Sequence, residues 1–182
     1  MKEGKDVDMS AKAEASVGWA IAMLDGAQTV QEVQVILKTS ARAAVQAQGA
    51  TVVELDGDQC HYSDEDAVSP LWKGERFPVT SCISGWAMLH RETVVIPDTS
   101  LDERVPQDAY RPTFVRSLVM VPIMVGDGYP VGAVGAYWSY PHRAADREVA
   151  VLEALAEAAG RALRRILTLP EHPARAGRVR TG

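Results

Sequence analysis

The chain has 182 residues, 47% of them hydrophobic and 24% charged, with a formal net charge of -5. That length suits one domain with flanking segments, burying roughly 70% of the unfolded surface. The acidic balance argues against a broad nucleic-acid footprint, and no apolar run is long enough to span a bilayer.

Residues 1–8 are charged and read as a frayed end. From Met9 to Leu24, Val17, Ala20, Ile21 and Leu24 recur at helical spacing, and Asp25-Gly26 closes the segment. Its apolar core, "ASVGWAIAML", lies between acids and Asp25-Gly26, a context unlike that of a cleaved leader. Thr29 opens a second helix with a capping box, "TVQE". Val33, Ile36, Leu37 and Ala44 face inward, and the helix stops near Gly49.

"ATVVEL" and "QCHYS" read as strands joined by "DGD". Residues 64–81 hold acids, two prolines and a glycine, and read as a loop. The acids around it, Glu54, Asp56, Asp58 and Asp64–Asp66, read as a solvated hairpin rim. A short helix is expected from Cys82 to Leu89, followed by a brief strand, "TVVIP". "DTSLDERVPQDAYRPTF" is a long connection holding one further helical turn. "SLVMVPIMV" and "YPVGAVGAYWS" are strands apolar on both faces, with "GDG" as their turn. Such a sheet must be covered on both sides. Residues 145–167 form the last helix, striped by Leu152, Leu155, Ala156, Ala159, Leu163 and Ile166. Pro170 ends it, and Arg175, Arg178 and Arg180 make a basic tail, expected to be flexible.

The reactive residues offer few catalytic constellations. On one helix Cys82 and His90 stand about 12 Å apart, too far to act as nucleophile and base. Cys60 and His61, adjacent on a strand, point to opposite faces. Two cysteines without a CxxC pair make neither a zinc knuckle nor a disulfide framework, and read as thiols of a reducing, cytoplasmic compartment. Cys82 at a helix start is either a small buried apolar residue or, with a lowered pKa, a redox sensor. Asp98, Asp102, Glu103 and Asp108 lack calcium-loop spacing and read as turn caps. The chain contains no Asn, which removes glycosylation acceptors and any Cys-His-Asn triad.

The order of elements, with "CISGWAMLHRETVVIPD", "FVRSLVMVPI" and "GYPVGAVGAYW", resembles the GAF domain from Thr29 to Leu167. It is most similar to the GAF domains of bacterial sensor histidine kinases. The resemblance implies an α+β, PAS-like fold: a central antiparallel sheet of five to six strands, terminal helices on one face and a loop-rich ligand pocket on the other. The expected organisation is a helical segment over 1–28, a GAF domain over 29–168 and a tail over 169–182.

The implied function is a non-catalytic sensory domain of two-component-type signalling. It would bind a small molecule and signal through terminal helices in a homodimer to a separate kinase or output domain, with no nucleic-acid or membrane partner. Nothing after Leu167 reads as an output domain, so the chain either acts through another protein or is part of a longer one. Expected pocket residues are Trp72, Phe77, Cys82, Trp86, Tyr110, Phe114 and Ser117, although aromatics serve as core filling more often than as site residues. The leftover apolar face of Val17, Ile21 and Leu24 is expected to pair between subunits.

The cofactor stays open. "QDAYRPTF" lacks the Cys-His pair of bilin-binding GAF domains, the chain lacks the Asn of cyclic-nucleotide GAF domains, and His90 beside Arg91 and Glu92 is a poor haem ligand. Two alternatives remain: a thiol-based redox sensor or methionine-sulfoxide-reductase-like enzyme using Cys82, and a dimerisation module with a filled pocket. The reductase needs several pocket cysteines, and Cys82 stands alone in that stretch.

Overall fold

A computed structural model describes residues 3–126 and 128–168, with side chains from residue 15 onward. The turn residue Asp127 and the expected basic tail lie outside the described residues. Five helices and six strands follow one another as α1 (Glu3–Gly26), α2 (Val30–Ala44), β1 (Gly49–Asp56), β2 (Gln59–Ala67), β3 (Arg76–Pro78), α3 (Ile83–His90), β4 (Val94–Ile96), α4 (Gln107–Tyr110), β5 (Ser117–Val125), β6 (Tyr129–Trp138) and α5 (Asp146–Thr168). The strands form one sheet in the order β3-β2-β1-β6-β5-β4, every pairing antiparallel.

The local signals act as their chemistry dictates. Thr29 accepts the Glu32 amide at 3.1 Å, and the Glu32 carboxylate reaches back to the Gln28 amide at 2.7 Å. Two otherwise orphaned donors at the start of α2 are thereby satisfied. Gly57 takes a positive φ of 62°, which lets β1 and β2 reverse within two residues. α1 begins at Glu3 rather than near Met9, with the acids Glu3, Asp6 and Asp8 in its first turns, where negative charge complements the helix dipole.

Both faces of the sheet are covered. On one, Leu24 of α1, Leu37 of α2 and Leu152 and Leu155 of α5 pack over Val52, Val119 and Val134. Each of those four leucines is at most 1% exposed, so truncating any one to alanine costs about 2–5 kcal/mol. Gly160 of α5 makes that packing close: a Cβ there would enter the Met124 carbonyl oxygen. Leu24 and the partly buried Ile21 are thus spent on this intramolecular core, contrary to the expected subunit face. What α1 and α2 leave exposed is Trp19, Met23 and Val35. No helix among the described residues is long and apolar enough to cross a membrane.

The acidic stretch after β2 departs most from expectation. β2 continues through Asp64–Ala67, paired with β1 from Gly49 to Val52. A bulge stands where Val52 pairs with Asp64 and Val53 with Tyr62, leaving Ser63 as the extra residue. The bulge resets the alternation of faces. Tyr62 points to the loop side, while Asp64 and Asp66 reach α2, bonded to Lys38 at 2.5 Å and Arg42 at 2.5 Å. Asp64 also receives Lys73 at 2.7 Å and is only 8% exposed. Burial alone would raise its pKa, but hydrogen bonds from Lys38 and Lys73 outweigh this and hold it below the usual carboxylate range. These acids are pinned tertiary contacts, and the solvated-rim reading is corrected at this strand.

Candidate functional site

The other face of the sheet carries an aromatic cage. Strand alternation brings Cys60 and Tyr62 of β2, Val53 of β1 and Tyr137 of β6 to this side. The segment before β3 adds Trp72, and α4 adds Tyr110. Trp72 sits at the centre, with ring centroids 5.5 Å from Tyr62, 4.8 Å from Tyr110 and 5.6 Å from Tyr137. Phe77 meets Tyr62 edge-on at 5.5 Å.

Glu65 places Trp72. Now facing the loops, its carboxylate accepts the amides of Leu71, Trp72 and Lys73 at 3.0, 3.0 and 2.9 Å. The Trp72 indole N–H in turn donates to the Ala109 carbonyl at 3.1 Å, tying the loop to α4. One acid of β2 thereby organises a wall of the cage.

Beneath the rings lies a chain of polar groups. The Tyr62 hydroxyl is 3.2 Å from the Ser84 hydroxyl, which is 3.3 Å from the Cys82 sulfur. The Thr51 and Tyr137 hydroxyls pair at 2.8 Å. Burial pushes the phenols of Tyr62, Tyr110 and Tyr137 well above their ordinary pKa, so all three remain neutral donors. Tyr110 differs from its neighbours. Among the described residues its hydroxyl is the only buried side-chain polar atom without a hydrogen-bond partner.

α3 brings Cys82 to this place. Cys82 is its N-cap residue, in extended conformation, with its sulfur 3.6 Å from the Pro78 carbonyl oxygen. Gly85 allows the helix to sit this low, because a Cβ there would overlap the Val79 carbonyl. Cys60 of β2 lies in the same apolar cluster as Cys82, which remains the only cysteine of residues 64–116. The two thiols shift in opposite directions. The Cys60 hydrogen bond lowers Cys82 against the opposing effect of burial, with the Ser84 hydroxyl and Gly85 amide adding to the lowering. The same bond, burial and the charge on Cys82 push Cys60 up.

Of the seven expected residues, Trp72, Phe77, Cys82 and Tyr110 gather here. Phe114 packs against the same cluster near Gly49. Trp86 is half-buried at the edge, stacked on His90 at 3.9 Å with the Arg104 guanidinium 4.8 Å from its centroid. Ser117 does not belong: it shares strand parity with Val119 and Val121 of the helix-side core, and its hydroxyl donates to the Tyr140 carbonyl at 2.8 Å. Sequence reasoning missed Cys60, Tyr62, Ser84 and Tyr137. Period-two alternation in "CHY" and "GAYW" was the available signal. Asp98 and Asp102 serve their own turns, accepting from Ser100 and Arg104. A separate, largely apolar groove of about 420 Å³ opens on the helix side, between α2, α5, the C-terminal end of β1 and the N-terminal end of β6.

The family model of the GAF domain matches residues 29–164, well over half of the chain. The chain belongs to the GAF family. Solved structures agree on the GAF fold. The GAF domain of an Acinetobacter phosphoenolpyruvate-protein phosphotransferase superposes with a TM-score of 0.72 at 13% identity, covering 85% of this chain and 94% of that one. Free methionine-R-sulfoxide reductase from Neisseria meningitidis, solved with its substrate, gives 0.74 at 16% identity over 87% and 92%. The chromophore-binding domain of a bacteriophytochrome from R. palustris gives 0.74 at 15% identity, over 87% of this chain and 62% of that one. At such identities the likeness concerns the fold alone. No curated protein sequence matches the chain.

Proposed function

We propose that this GAF domain is a non-catalytic sensory module whose ligand enters the cage of Tyr62, Trp72, Tyr110 and Tyr137 and hydrogen-bonds to the Tyr110 hydroxyl. The observation that carries this reading is that unpartnered hydroxyl on a 4%-exposed residue, since a buried donor left alone costs about 1–3 kcal/mol. The chemistry suits a small, neutral, planar molecule with one acceptor: aromatic walls supply area, and no unpaired charge in the cage would offset desolvation of an ion. Related folds in the comparison include one solved with a substrate and one that binds a chromophore. Binding would shift α3 and α4 against the sheet and alter how α1 and α5 present themselves to a second subunit and to a separate kinase or output domain. Such a shift requires different affinities for two states.

The test is a thermal-shift screen of neutral heteroaromatic compounds against the parent and Tyr110→Phe. A ligand of the cage raises the parent Tm with concentration and binds the variant several-fold more weakly. Equal shifts in both proteins, or none in either, overturn the reading.

The tight ring packing around Trp72 favours a second reading, in which the cage is simply filled and the domain serves dimerisation. It predicts a stable dimer and no compound that acts through Tyr110.

A further inference from the structure

Cys60 and Cys82 lie 22 positions apart in sequence and are the only cysteines of the chain. The fold brings them together along two routes. Cys60 shares a strand face with Tyr62, whose hydroxyl reaches Ser84 on the first turn of α3. Ser84 touches the Cys82 sulfur at 3.3 Å. The Cys82 sulfur also lies 3.6 Å from the carbonyl of Pro78, the β3 residue paired with Gln59 next to Cys60. Both cysteines are free thiols within one apolar cluster. Cys60 is fully enclosed, while Cys82 keeps 7% exposure.

We propose that Cys60 and Cys82 are a thiol–disulfide pair, closed by a hydroperoxide and reopened by a dithiol reductant, with Cys82 attacking first and Cys60 resolving. In the first step the Cys82 thiolate attacks one peroxide oxygen. An S–O bond forms, the O–O bond breaks, and the leaving oxygen takes a proton and departs as water or an alcohol. Cys82 is thereby oxidised by two electrons to a sulfenic acid. In the second step the Cys60 sulfur attacks the Cys82 sulfur. The S–S bond forms, the S–O bond breaks, and the hydroxide leaves as water with the Cys60 proton. Across both steps two thiols and one hydroperoxide give one disulfide, one alcohol or water, and one water. The division of labour follows the surroundings: Cys82 is the more exposed residue, and it stands at the N-terminus of α3 beside the Ser84 hydroxyl, a place that favours a thiolate. The bridge would join β2 to the first turn of α3 directly beneath Tyr62, stiffening the floor of the cage. This inference stands without the ligand reading.

The experiment treats the full reduced chain with hydrogen peroxide, then denatures it in iodoacetamide and records the intact mass. The expected product is a monomeric chain two hydrogens lighter that takes no alkyl label, and dithiothreitol restores both labelled sites. Cys60→Ser should stop at a Cys82 sulfenic acid trapped by dimedone, and Cys82→Ser should leave Cys60 reduced. Three results on the parent alone overturn the proposal: both thiols still alkylated at peroxide levels that oxidise free cysteine, Cys82 carried to sulfinic acid without a bridge, or a disulfide found only between chains. The parent result decides the matter even if a variant misfolds.

Discussion

The hydroxyls of Thr51 and Tyr137 lie 2.8 Å apart across the β1–β6 pairing, each the other's partner in the buried interior, whereas the Tyr110 hydroxyl one ring away has none. This contrast separates a phenol that stabilises the fold from one left free for another molecule. Thr51→Val should destabilise the protein by about 1–3 kcal/mol by orphaning Tyr137, while Tyr110→Phe should be neutral or slightly stabilising. Urea unfolding of the two variants beside the parent checks both signs. A Tyr110→Phe loss as large as that of Thr51→Val would mean that Tyr110 is already satisfied.

Glu65 holds three successive amides, so Glu65→Ala should loosen the segment carrying Trp72. The expected cost is about 2–3 kcal/mol, since bonds to a charged group are strong and partial exposure screens them. Trp72 becomes wetter, so indole emission should shift to the red before global unfolding. Unchanged emission would show that the ring contacts alone fix Trp72.

Asp64 sets an acid limb to stability. Its folded pKa lies below the ordinary value, so its contribution is fully present above about pH 4 and is lost as pH falls through the depressed folded value. Asp64→Asn should lower stability at neutral pH and flatten the fall below about pH 4. Parallel curves for the two proteins would place the acid sensitivity elsewhere.

Gly85→Ala places a methyl group against the Val79 carbonyl, whose backbone cannot yield cheaply. The expected penalty is about 1–3 kcal/mol, and α3 must rise from the sheet. Gly18→Ala is the control: it lies mid-helix with open space around its would-be Cβ, and should stabilise by up to about 1 kcal/mol. Thermal unfolding should order the three proteins Gly18→Ala, parent, Gly85→Ala.

The proposed homodimer now rests on a different surface from the stripe first expected. Trp19 is 65% exposed on α1, one helical turn from Met23, which lines a surface depression together with Val35. Light scattering should show a dimer at high micromolar concentration that Trp19→Glu dissociates. A monomeric parent would remove dimeric signalling from the account.

Features of short range were legible in the sequence: the Thr29 box, the Gly57 turn and the α5 stripe are all written within a few residues. The bulge at Ser63 was not. Its consequence, sorting Asp64, Glu65 and Asp66 between Lys38, the loop amides and Arg42, depends on partners that no local pattern names. The same holds for Cys60 beside Cys82. Strand alternation correctly separates Cys60 from His61 but cannot say what α3 lowers onto the face that Cys60 occupies. Ser117 shows the reverse error, since it was expected in the pocket while parity with Val119 assigns it to the helix side.

The central claim, that the cage around Tyr110 is the sensory site, is tested most directly by side-chain NMR. Tyrosine, tryptophan and leucine and valine methyl resonances would be followed while the strongest thermal-shift compound is titrated into the parent. The account predicts saturable shifts at Tyr62, Trp72, Tyr110 and Tyr137, largest at Tyr110 and weakened in Tyr110→Phe. Binding that leaves these four unmoved, and instead perturbs Leu37, Val131 and Leu163 of the helix-side groove, would contradict it.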